Sequence, residues 1–263
     1  MTDVAGVEPS IAFRGVSYRT QNRVLLGPLD LEVQRGETLV LLGRSGSGKT
    51  TALKLINRLA EESEGTVLVD GRPTREWDAI ALRRHIGYVI QEAGLFPHYT
   101  VERNVGLVPR LLEKPEAEIR ERVDAMLRLV DLDPKEFRGR YPHQLSGGQR
   151  QRVGVARALA GDPRILLMDE PFGALDPLSR AELRQQFLAI QKQVRKTTVL
   201  VTHDVGEALL LASRIALLEG GKLLGIYSRT EFLESSEKTV AAYRAAWGGN
   251  LQLPGDECHG GIS

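Results

Sequence analysis

A short stretch of the sequence combines glycine, lysine and threonine at a spacing suited to binding phosphate. It reads Gly43-Arg44-Ser45-Gly46-Ser47-Gly48-Lys49-Thr50 and is followed by Thr51. The glycines allow a tight turn with inward-pointing N–H groups, and the helix predicted after it adds about half a positive charge. Lys49 would reach the β- and γ-phosphates of a nucleotide, and the Thr50 hydroxyl would ligate Mg²⁺. The alternative is a Gly/Ser-rich turn that fits the pattern by chance.

Two acidic residues, Asp169 and Glu170, end the apolar stretch Ile165–Met168, which predicts a central parallel strand. A carboxylate at the carboxyl end of a parallel sheet faces the same crevice as the phosphate loop. Asp169 is therefore predicted to hold Mg²⁺ through water, and Glu170 to polarise the attacking water or accept its proton. The alternative, a pair of acids that caps the next element, is weaker in a chain that also carries the phosphate-loop pattern.

A second anion site is predicted where Leu145-Ser146-Gly147-Gly148-Gln149 precedes the helical stretch Arg150–Leu159. A Ser-Gly-Gly turn at a helix start presents free N–H groups and a hydroxyl, although taken alone it would be an ordinary helix cap. Two anion sites with one pair of carboxylates indicate that two chains share each nucleotide.

The elements that must position these residues follow from the periodicity of the apolar residues. Strands are predicted over Ile11–Tyr18, Leu29–Val33, Glu37–Leu42, Gly65–Val69, Ile86–Ile90, Ile165–Met168 and Thr197–Thr202, with a hairpin of Ile215–Leu218 and Lys222–Ile226. Helices are predicted over Thr51–Asn57, Thr100–Leu107, Pro115–Val130 and Arg150–Leu159. Turns are predicted at Gly27-Pro28, Arg35-Gly36-Glu37, Asp70-Gly71 and Gly220-Gly221.

With these motifs in this order, the chain resembles the nucleotide-binding subunit of an ABC transporter over about residues 10 to 235. The fold class expected is an α/β P-loop NTPase (RecA-like) core with an N-terminal antiparallel β subdomain and an inserted α-helical subdomain. The expected division is 1–91 for the first part of the ATP-binding core with the β subdomain, 92–160 for the helical subdomain with the signature motif, 161–235 for the second part of the core, and 236–263 for a C-terminal helix and flexible tail.

The resemblance also implies roles for single residues. Tyr18 would stack on adenine, unless it is a core-facing aromatic. Gln91 would be the Q-loop glutamine, which touches Mg²⁺ or the attacking water, unless it is only a polar strand end. His203 would be the switch histidine on the γ-phosphate, unless it belongs to a helix cap. Ala174-Leu175-Asp176 resembles the D-loop that crosses the dimer interface. The segment Leu145–Gln149 would be the signature motif that closes on the γ-phosphate of ATP held by the partner subunit, with most of the contacts from Ser146 and Gly148.

The predicted catalytic residues are Glu170, His203, Gln91 and Lys49, and the predicted metal contacts are Thr50, Gln91 and Asp169. The cofactors expected are ATP and Mg²⁺. No role is assigned to His85, His98 or His143, and Asp256, Cys258 and His259 offer too few ligands for a metal site.

Composition narrows the partners. With 35 basic and 34 acidic residues the net charge is +1, which does not favour nucleic acid. One cysteine allows no internal disulfide and fits a reducing compartment. The first residues do not form a secretory signal, and no apolar stretch reaches the length of a membrane span, so a membrane role would come through a partner. The resemblance implies a homodimer on permease subunits at the cytoplasmic face of the inner membrane, served indirectly by an extracytoplasmic substrate-binding protein.

The segment Ile86–His98, continued by Thr100–Val105 and Val108–Leu112, is most similar to the ATPases of osmoprotectant importers. The cargo implied is a quaternary-ammonium solute such as glycine betaine, choline, carnitine or proline betaine. Other interpretations are the same ATPase with another cargo, such as amino-acid import or lipid trafficking, an ABC switch ATPase outside transport, and a P-loop kinase. The signature segment and Glu170 argue against the kinase.

Overall fold

The structure is a computed structural model that describes residues 8–21 and 23–248. Within them, ten strands alternate with helices. The strands are β1 (Ile11–Thr20), β2 (Arg23–Val33), β3 (Thr38–Leu42), β4 (Glu64–Val69), β5 (Arg72–Pro73), β6 (Ile86–Val89), β7 (Ile165–Asp169), β8 (Thr197–Thr202), β9 (Arg214–Glu219) and β10 (Lys222–Ser228).

The helices of the described part follow the same chain order. They are α1 (Lys49–Ile56), α2 (Ala79–His85), α3 (Val101–Val105), α4 (Leu107–Leu111), α5 (Glu116–Leu129), α6 (Pro134–Phe137), α7 (Gly147–Ala160), α8 (Pro177–Val194), α9 (Val205–Leu211), α10 (Arg229–Glu234) and α11 (Lys238–Trp247). Short 3₁₀ turns lie at Thr74–Glu76 and Pro142–Gln144. No helix within these residues combines the length and the apolar character that crossing a bilayer requires.

The strands form two sheets. An antiparallel sheet has the order β2-β1-β4-β5, and a six-stranded sheet has the order β10-β9-β3-β8-β7-β6. In the larger sheet β9, β3, β8, β7 and β6 are parallel, and β10 returns antiparallel to β9. The order places β3, which leads into the phosphate loop, between β9 and β8, so the carboxyl ends of β3, β8 and β7 lie side by side. The predicted P-loop NTPase fold is confirmed.

Two apolar cores lie on opposite faces of the larger sheet. The helical core joins the sheet to α3, α5, α7, α8 and α9, and the sheet core joins it to α1 and the antiparallel sheet. Strand β3 serves both, because Val40 and Leu42 point into the helical core while Leu39 and Leu41 point into the sheet core. All five of its residues are buried, which explains the unbroken apolar stretch in the sequence.

The turn predicted at Gly27-Pro28 is wrong, because both residues lie inside β2. Val16 pairs with Leu29 and Tyr18 pairs with Leu26, so two residues of β2 oppose one residue of β1. This is a β-bulge, which accommodates the backbone angle of Gly27 (φ 144°) and a proline that has no N–H to donate. The Gly27 N–H donates instead to the Gly221 carbonyl at 2.9 Å.

The single helix predicted over Thr100–Leu107 is two short helices, α3 and α4, that meet at Gly106. The stretch from 92 to 160 is helical, and the four-part division of the chain stays a prediction. The C-terminal helix is present as α11. The tail predicted beyond Gly248, including Asp256, Cys258 and His259, lies outside the described residues.

Candidate active site

The phosphate loop joins the end of β3 to the start of α1. Gly46 (φ 78°) and Gly48 (φ 95°) have left-handed backbones, and Gly48 caps α1 without any side chain bonded to the first turn. The N–H groups of that turn therefore have no side-chain acceptor and are available to an anion. They open into a cavity of about 270 Å³ lined by Leu25, Ser45, Gly46, Ser47, Gly48, Lys49, Thr50, Thr51 and Glu170.

The loop also packs closely on its neighbours. A Cβ atom at Gly43 would lie 2.2 Å from the Leu218 carbonyl oxygen, and one at Gly48 would lie 2.8 Å from the Leu25 carbonyl oxygen. Both distances are too short for any side chain, so both positions require glycine for space, and Gly48 also requires it for its left-handed backbone angle.

The Lys49 ammonium lies beneath this loop and is only 4% exposed. Its Nζ donates to the carbonyl oxygens of Gly43 and Arg44, both at 2.8 Å, and the Ser47 hydroxyl lies 3.5 Å away. Burial lowers the pKa of Lys49, and the carboxylates of Glu170 and Asp169 oppose that shift. A buried cation with one long, weak contact keeps capacity for an anionic ligand.

The predicted metal contacts of the loop and of β7 meet. Thr50 Oγ1 donates to Asp169 Oδ1 at 2.9 Å. Burial raises the pKa of Asp169, the Thr50 hydrogen bond opposes that rise, and the Glu170 charge adds to it. Hydroxyl and carboxylate oxygens suit Mg²⁺. Across residues 8–21 and 23–248 no group of three or more His, Cys, Asp or Glu could hold a metal. The protein side of the site thus fits an ion that keeps several water or phosphate ligands.

Glu170 and His203 approach each other from neighbouring parallel strands. Glu170 Oε2 lies 3.3 Å from His203 Nδ1, and the Glu170 N–H donates to the Val201 carbonyl at 3.0 Å. Glu170 has a left-handed backbone (φ 44°), which is unusual for a residue other than glycine. The β7–β8 pairing thus supplies a carboxylate and an imidazole at the edge of the cavity, where they could activate a water molecule.

Gln91 lies apart from that cavity. It lines a second cavity of about 280 Å³ together with Glu92, Ala93, Gly147, Arg150, Gln151, Ala174 and Leu175. Gln91 and Glu170 both lie near Gly173, where an added Cβ atom would be 3.8 Å from Gln91 Nε2 and 3.6 Å from Glu170 Oε2. The Q-loop, the signature segment and the D-loop therefore meet at this second cavity. Contact of Gln91 with a metal ion stays a prediction.

The signature segment begins α7 with a capping box. Ser146 Oγ accepts from the Gln149 N–H at 3.2 Å, and Gln149 Oε1 accepts from the Ser146 N–H at 2.9 Å. Gly147 and Gly148 follow in the first turn, where N–H groups have no acceptor within the helix. The D-loop residue Asp176 caps α8 by accepting from the Ser179 N–H at 3.1 Å, and hydrogen bonding to Ser179 lowers the pKa of Asp176.

Tyr18 is half-buried on β1 and packs against the sheet core, and Leu25 of the neighbouring strand lines the cavity instead. This packing favours the core-facing alternative, and stacking on adenine stays a prediction. Of the histidines without a predicted role, His85 Nε2 lies 3.0 Å from Asp70 Oδ2.

Sequence reasoning missed two residues that hold the loops in place. Arg157 of α7 donates to the Ala93 and Gly94 carbonyls at 2.7 and 2.6 Å, which ties the signature helix to the segment after Gln91. Tyr243 of α11 accepts from the Arg44 N–H at 3.1 Å, although 199 residues separate them. An arginine in a helix and a tyrosine near the C-terminus carry no pattern that predicts such contacts.

Comparison with known proteins adds the family. The sequence profile described as ABC transporter matches residues 26–173. The chain is 50% identical over 207 residues to the glycine betaine/carnitine/choline transport ATP-binding protein OpuCA of Bacillus subtilis, an alignment that covers 79% of this chain and 54% of the relative. It is 48% identical to the glycine betaine uptake system ATP-binding protein YehX of Escherichia coli, with 81% of this chain and 69% of the relative covered.

The chain spans about half the length of OpuCA. Among solved structures, the ATP-binding cassette MJ0796, described as a dimer in a post-hydrolysis state bound to ADP and Pi, superposes with a TM-score of 0.73. It is 34% identical, and the match covers 83% of this chain and 98% of that chain.

Proposed function

Because the chain belongs to the ABC transporter family, we propose that it is the ATP-hydrolysing subunit of a membrane importer. One observation carries the hydrolysis: Glu170 and His203 meet at 3.3 Å on the edge of the phosphate-loop cavity, next to the Thr50–Asp169 contact. This contact supports Glu170 as the base and His203 as its proton-sharing partner, close to the end of the phosphate loop to which the γ-phosphate of a nucleotide would bind.

The phosphate loop binds the ATP phosphates through the N–H groups of the α1 start and the Lys49 ammonium. Thr50 and Asp169 would hold Mg²⁺, with Gln91 as a further contact, and the bound ion would supply positive charge to neutralise the phosphates. Glu170 takes a proton from the attacking water, and His203, whose Nδ1 lies 3.3 Å from that carboxylate, orients it and contacts the γ-phosphate.

Two copies of the chain share each nucleotide. Gly147 lines the second cavity, and neither Gly147 nor Gly148 lines the phosphate-loop cavity of its own chain, so the signature segment would complete the site of another copy. Closure of this dimer excludes water and strengthens each phosphate contact, and hydrolysis reopens it. The dimeric MJ0796 cassette with ADP and Pi supports this arrangement.

We infer that permease subunits dock on the segment Glu92–His98, at the cytoplasmic face of the inner membrane. Phe96 is 41% exposed and packs on the rings of His98 and Tyr99, and Arg103 stacks on Tyr99 at 4.2 Å. This preformed aromatic platform, in the part of the chain that directly follows Gln91, gives such a partner an apolar contact. An extracytoplasmic binding protein acts through the permease.

The cargo we propose is a quaternary-ammonium osmoprotectant such as glycine betaine or choline. The names of OpuCA and YehX support it, at 50% and 48% identity over most of this chain. No residue of the ATPase touches cargo in this scheme, so the proposal concerns the permease with which the chain assembles.

The variant Glu170→Gln tests both the ATPase activity and the proposed cargo. The amide keeps the shape but cannot accept a proton, so ATP hydrolysis should fall by about 100-fold or more while ATP holds the protein as a dimer in light scattering. Uptake of labelled glycine betaine in cells should be lost with this variant. Glu234→Gln, on the exposed face of α10, is the control and should behave like the wild type.

The outcomes separate the claims. Hydrolysis at the wild-type rate in Glu170→Gln would remove Glu170 as the base. Normal betaine uptake in cells that carry only Glu170→Gln, with hydrolysis abolished in the purified protein, would rule out this cargo and leave the ATPase assignment in place.

A further inference from the structure

A closed set of three hydrogen bonds surrounds the backbone of His203. The Thr202 hydroxyl donates to Glu207 Oε2 at 2.5 Å and accepts from the Asp204 N–H at 3.0 Å. The Glu207 N–H returns to Asp204 Oδ1 at 3.0 Å. We call this set of Thr202, Asp204 and Glu207 the histidine bracket, because His203 lies between two of its members.

The bracket is built in the interior. Glu207 is 3% exposed and Thr202 is 2% exposed, whereas the His203 side chain is 60% exposed. A buried carboxyl group is costly unless it is hydrogen-bonded. Burial raises the pKa of Glu207, and the Thr202 hydrogen bond opposes that rise. An apolar side chain would fill the same space without this cost, so the buried Glu207 carboxyl group indicates a role beyond packing.

A hydroxyl has only one proton to donate, so the acceptor that takes this proton decides the orientation of the hydroxyl. Because Thr202 Oγ1 donates that proton to Glu207, its lone pairs are turned toward the Asp204 N–H. Without the carboxyl acceptor the hydroxyl rotates freely, and the Asp204 amide loses a fixed partner.

The surrounding charges hold the bracket from the side of α8. Arg184 Nη1 lies 3.7 Å from Asp204 Oδ2, and Arg180 adds positive charge that faces Glu207. Asp204 also acts on Glu207 as a like charge. The contacts from β8, α8 and α9 thus converge on Thr202 and Asp204, the two residues that flank His203.

We propose that Glu207 is a positioning residue that orients His203 by fixing the Thr202 hydroxyl and, through it, the Asp204 N–H of the peptide that follows His203. This rests on the proposed function only for the consequence in catalysis. Glu207 touches neither nucleotide nor water in this role. Its effect passes through Thr202 and Asp204 to the imidazole that meets Glu170 at 3.3 Å.

The test compares Thr202→Val and Glu207→Ala, which open the bracket, with Thr202→Ser and Glu207→Gln, which keep a hydroxyl and an acceptor. Thr198→Val is the matched control, since it removes a buried hydroxyl from the same strand outside the bracket. Opening should lower kcat about tenfold and leave the KM for ATP unchanged, because a misplaced group affects the chemical step. The conservative variants should retain the wild-type kcat.

A second readout does not depend on hydrolysis. The chain has five histidines, so the imidazole resonance of His203 can be assigned in the full chain by comparison with His203→Gln. It should shift or broaden in Thr202→Val and stay in place in Thr198→Val. Should Glu207→Ala not fold, Thr202→Val carries both measurements.

An unmoved His203 resonance in Thr202→Val overturns the proposal, as does an unchanged kcat with a lowered melting temperature. Absence of hydrolysis in the wild type would instead count against the proposed function, and the resonance would still decide whether the bracket positions His203.

Discussion

Lys49 shows how a single residue is set for its task. Its ammonium is buried and held by two carbonyl oxygens of its own loop, with Glu170 and Asp169 close enough to stabilise the charge. An uncompensated buried cation is unfavourable in a protein interior. A phosphate chain would add negative charge directly beside the ammonium, so we expect ligand binding to stabilise the buried cation further.

Lys49→Ala should therefore weaken nucleotide binding by about 100-fold, the usual effect of removing one partner of a buried charge pair. A fluorescent ADP analogue titrated into the purified chain measures the change. Lys54→Ala, on the exposed face of the same helix, is the control and should bind as the wild type does. Equal affinity in both variants would contradict the role of Lys49.

At this scale the sequence predicts residues whose role depends on local spacing. Gly46, Gly48, Lys49 and Thr50 lie within one loop, and their pattern is sufficient to place them at the start of α1. Contacts such as Tyr243 with Arg44 depend on how distant segments fold together, and no local pattern encodes them.

At the scale of elements, α11 is fastened to the core at its start and near its middle. The Tyr227 hydroxyl of β10 donates to Glu237 at the start of α11 at 2.8 Å, and Tyr243 reaches Arg44 in the phosphate loop. The helix thus links the last strand of the sheet to the loop that binds phosphate. Loss of either contact would therefore loosen the support that α11 gives to the phosphate loop.

The contact at Tyr227 predicts a loss of stability in alkali. Burial, with the hydrogen bond and charge of Glu237, raises the pKa of Tyr227 from 10.0 to about 12. The folded chain then keeps a proton that the unfolded chain releases, so the contribution is complete below pH 10.0 and is lost as the pH rises toward about 12. Urea unfolding across this window should show a fall for the wild type that is smaller in Tyr227→Phe. Tyr141→Phe, on an exposed loop tyrosine, should keep the full slope; equal slopes in all three proteins would contradict the assignment.

The sequence predicts helices and strands correctly where the apolar periodicity is strong. It fails where glycine or proline, which normally end an element, are accommodated inside one by tertiary pairing. β3, β7 and β8 were readable because strands buried on both faces are continuously apolar. Gly27-Pro28 lies in a bulge rather than a turn because β1 pairs with both sides of it. Gly106 ended a helix that periodicity alone would have continued.

At the scale of the whole molecule, the sheet order decides what meets at the site. The order β9-β3-β8-β7 brings loops from four distant parts of the chain to one edge. Sequence reasoning reached the fold class through resemblance, but the pairing of strands separated by more than a hundred residues leaves no mark in any single segment. The signature segment lines a different cavity from the phosphate loop of the same chain. In the proposed mechanism an isolated chain therefore has only one side of each ATP site, and a second copy must supply the other.

Leu178 should lie in the interface between two such halves. It is 77% exposed at the start of α8, beside the D-loop residue Asp176. A charge there would be desolvated on closure, so Leu178→Asp in the Glu170→Gln background should abolish the ATP-dependent dimer in light scattering and leave nucleotide affinity unchanged. Ile80→Asp, which adds the same charge at a 58% exposed site on α2, should still form the dimer. A dimer in both would place the interface elsewhere.

The tight packing of the phosphate loop restricts how this chain can change over evolutionary time. Gly43 and Gly48 press against the carbonyl oxygens of Leu218 and Leu25, at distances that leave no space for a methyl group. Every amino acid carries that carbonyl, so no second substitution at 218 or 25 could compensate for a lost glycine. A substitution of Gly43 or Gly48 therefore cannot be compensated by a second mutation at position 218 or 25. The side chains at 218 and 25 are not constrained by this contact and can vary with the residues that pack around them.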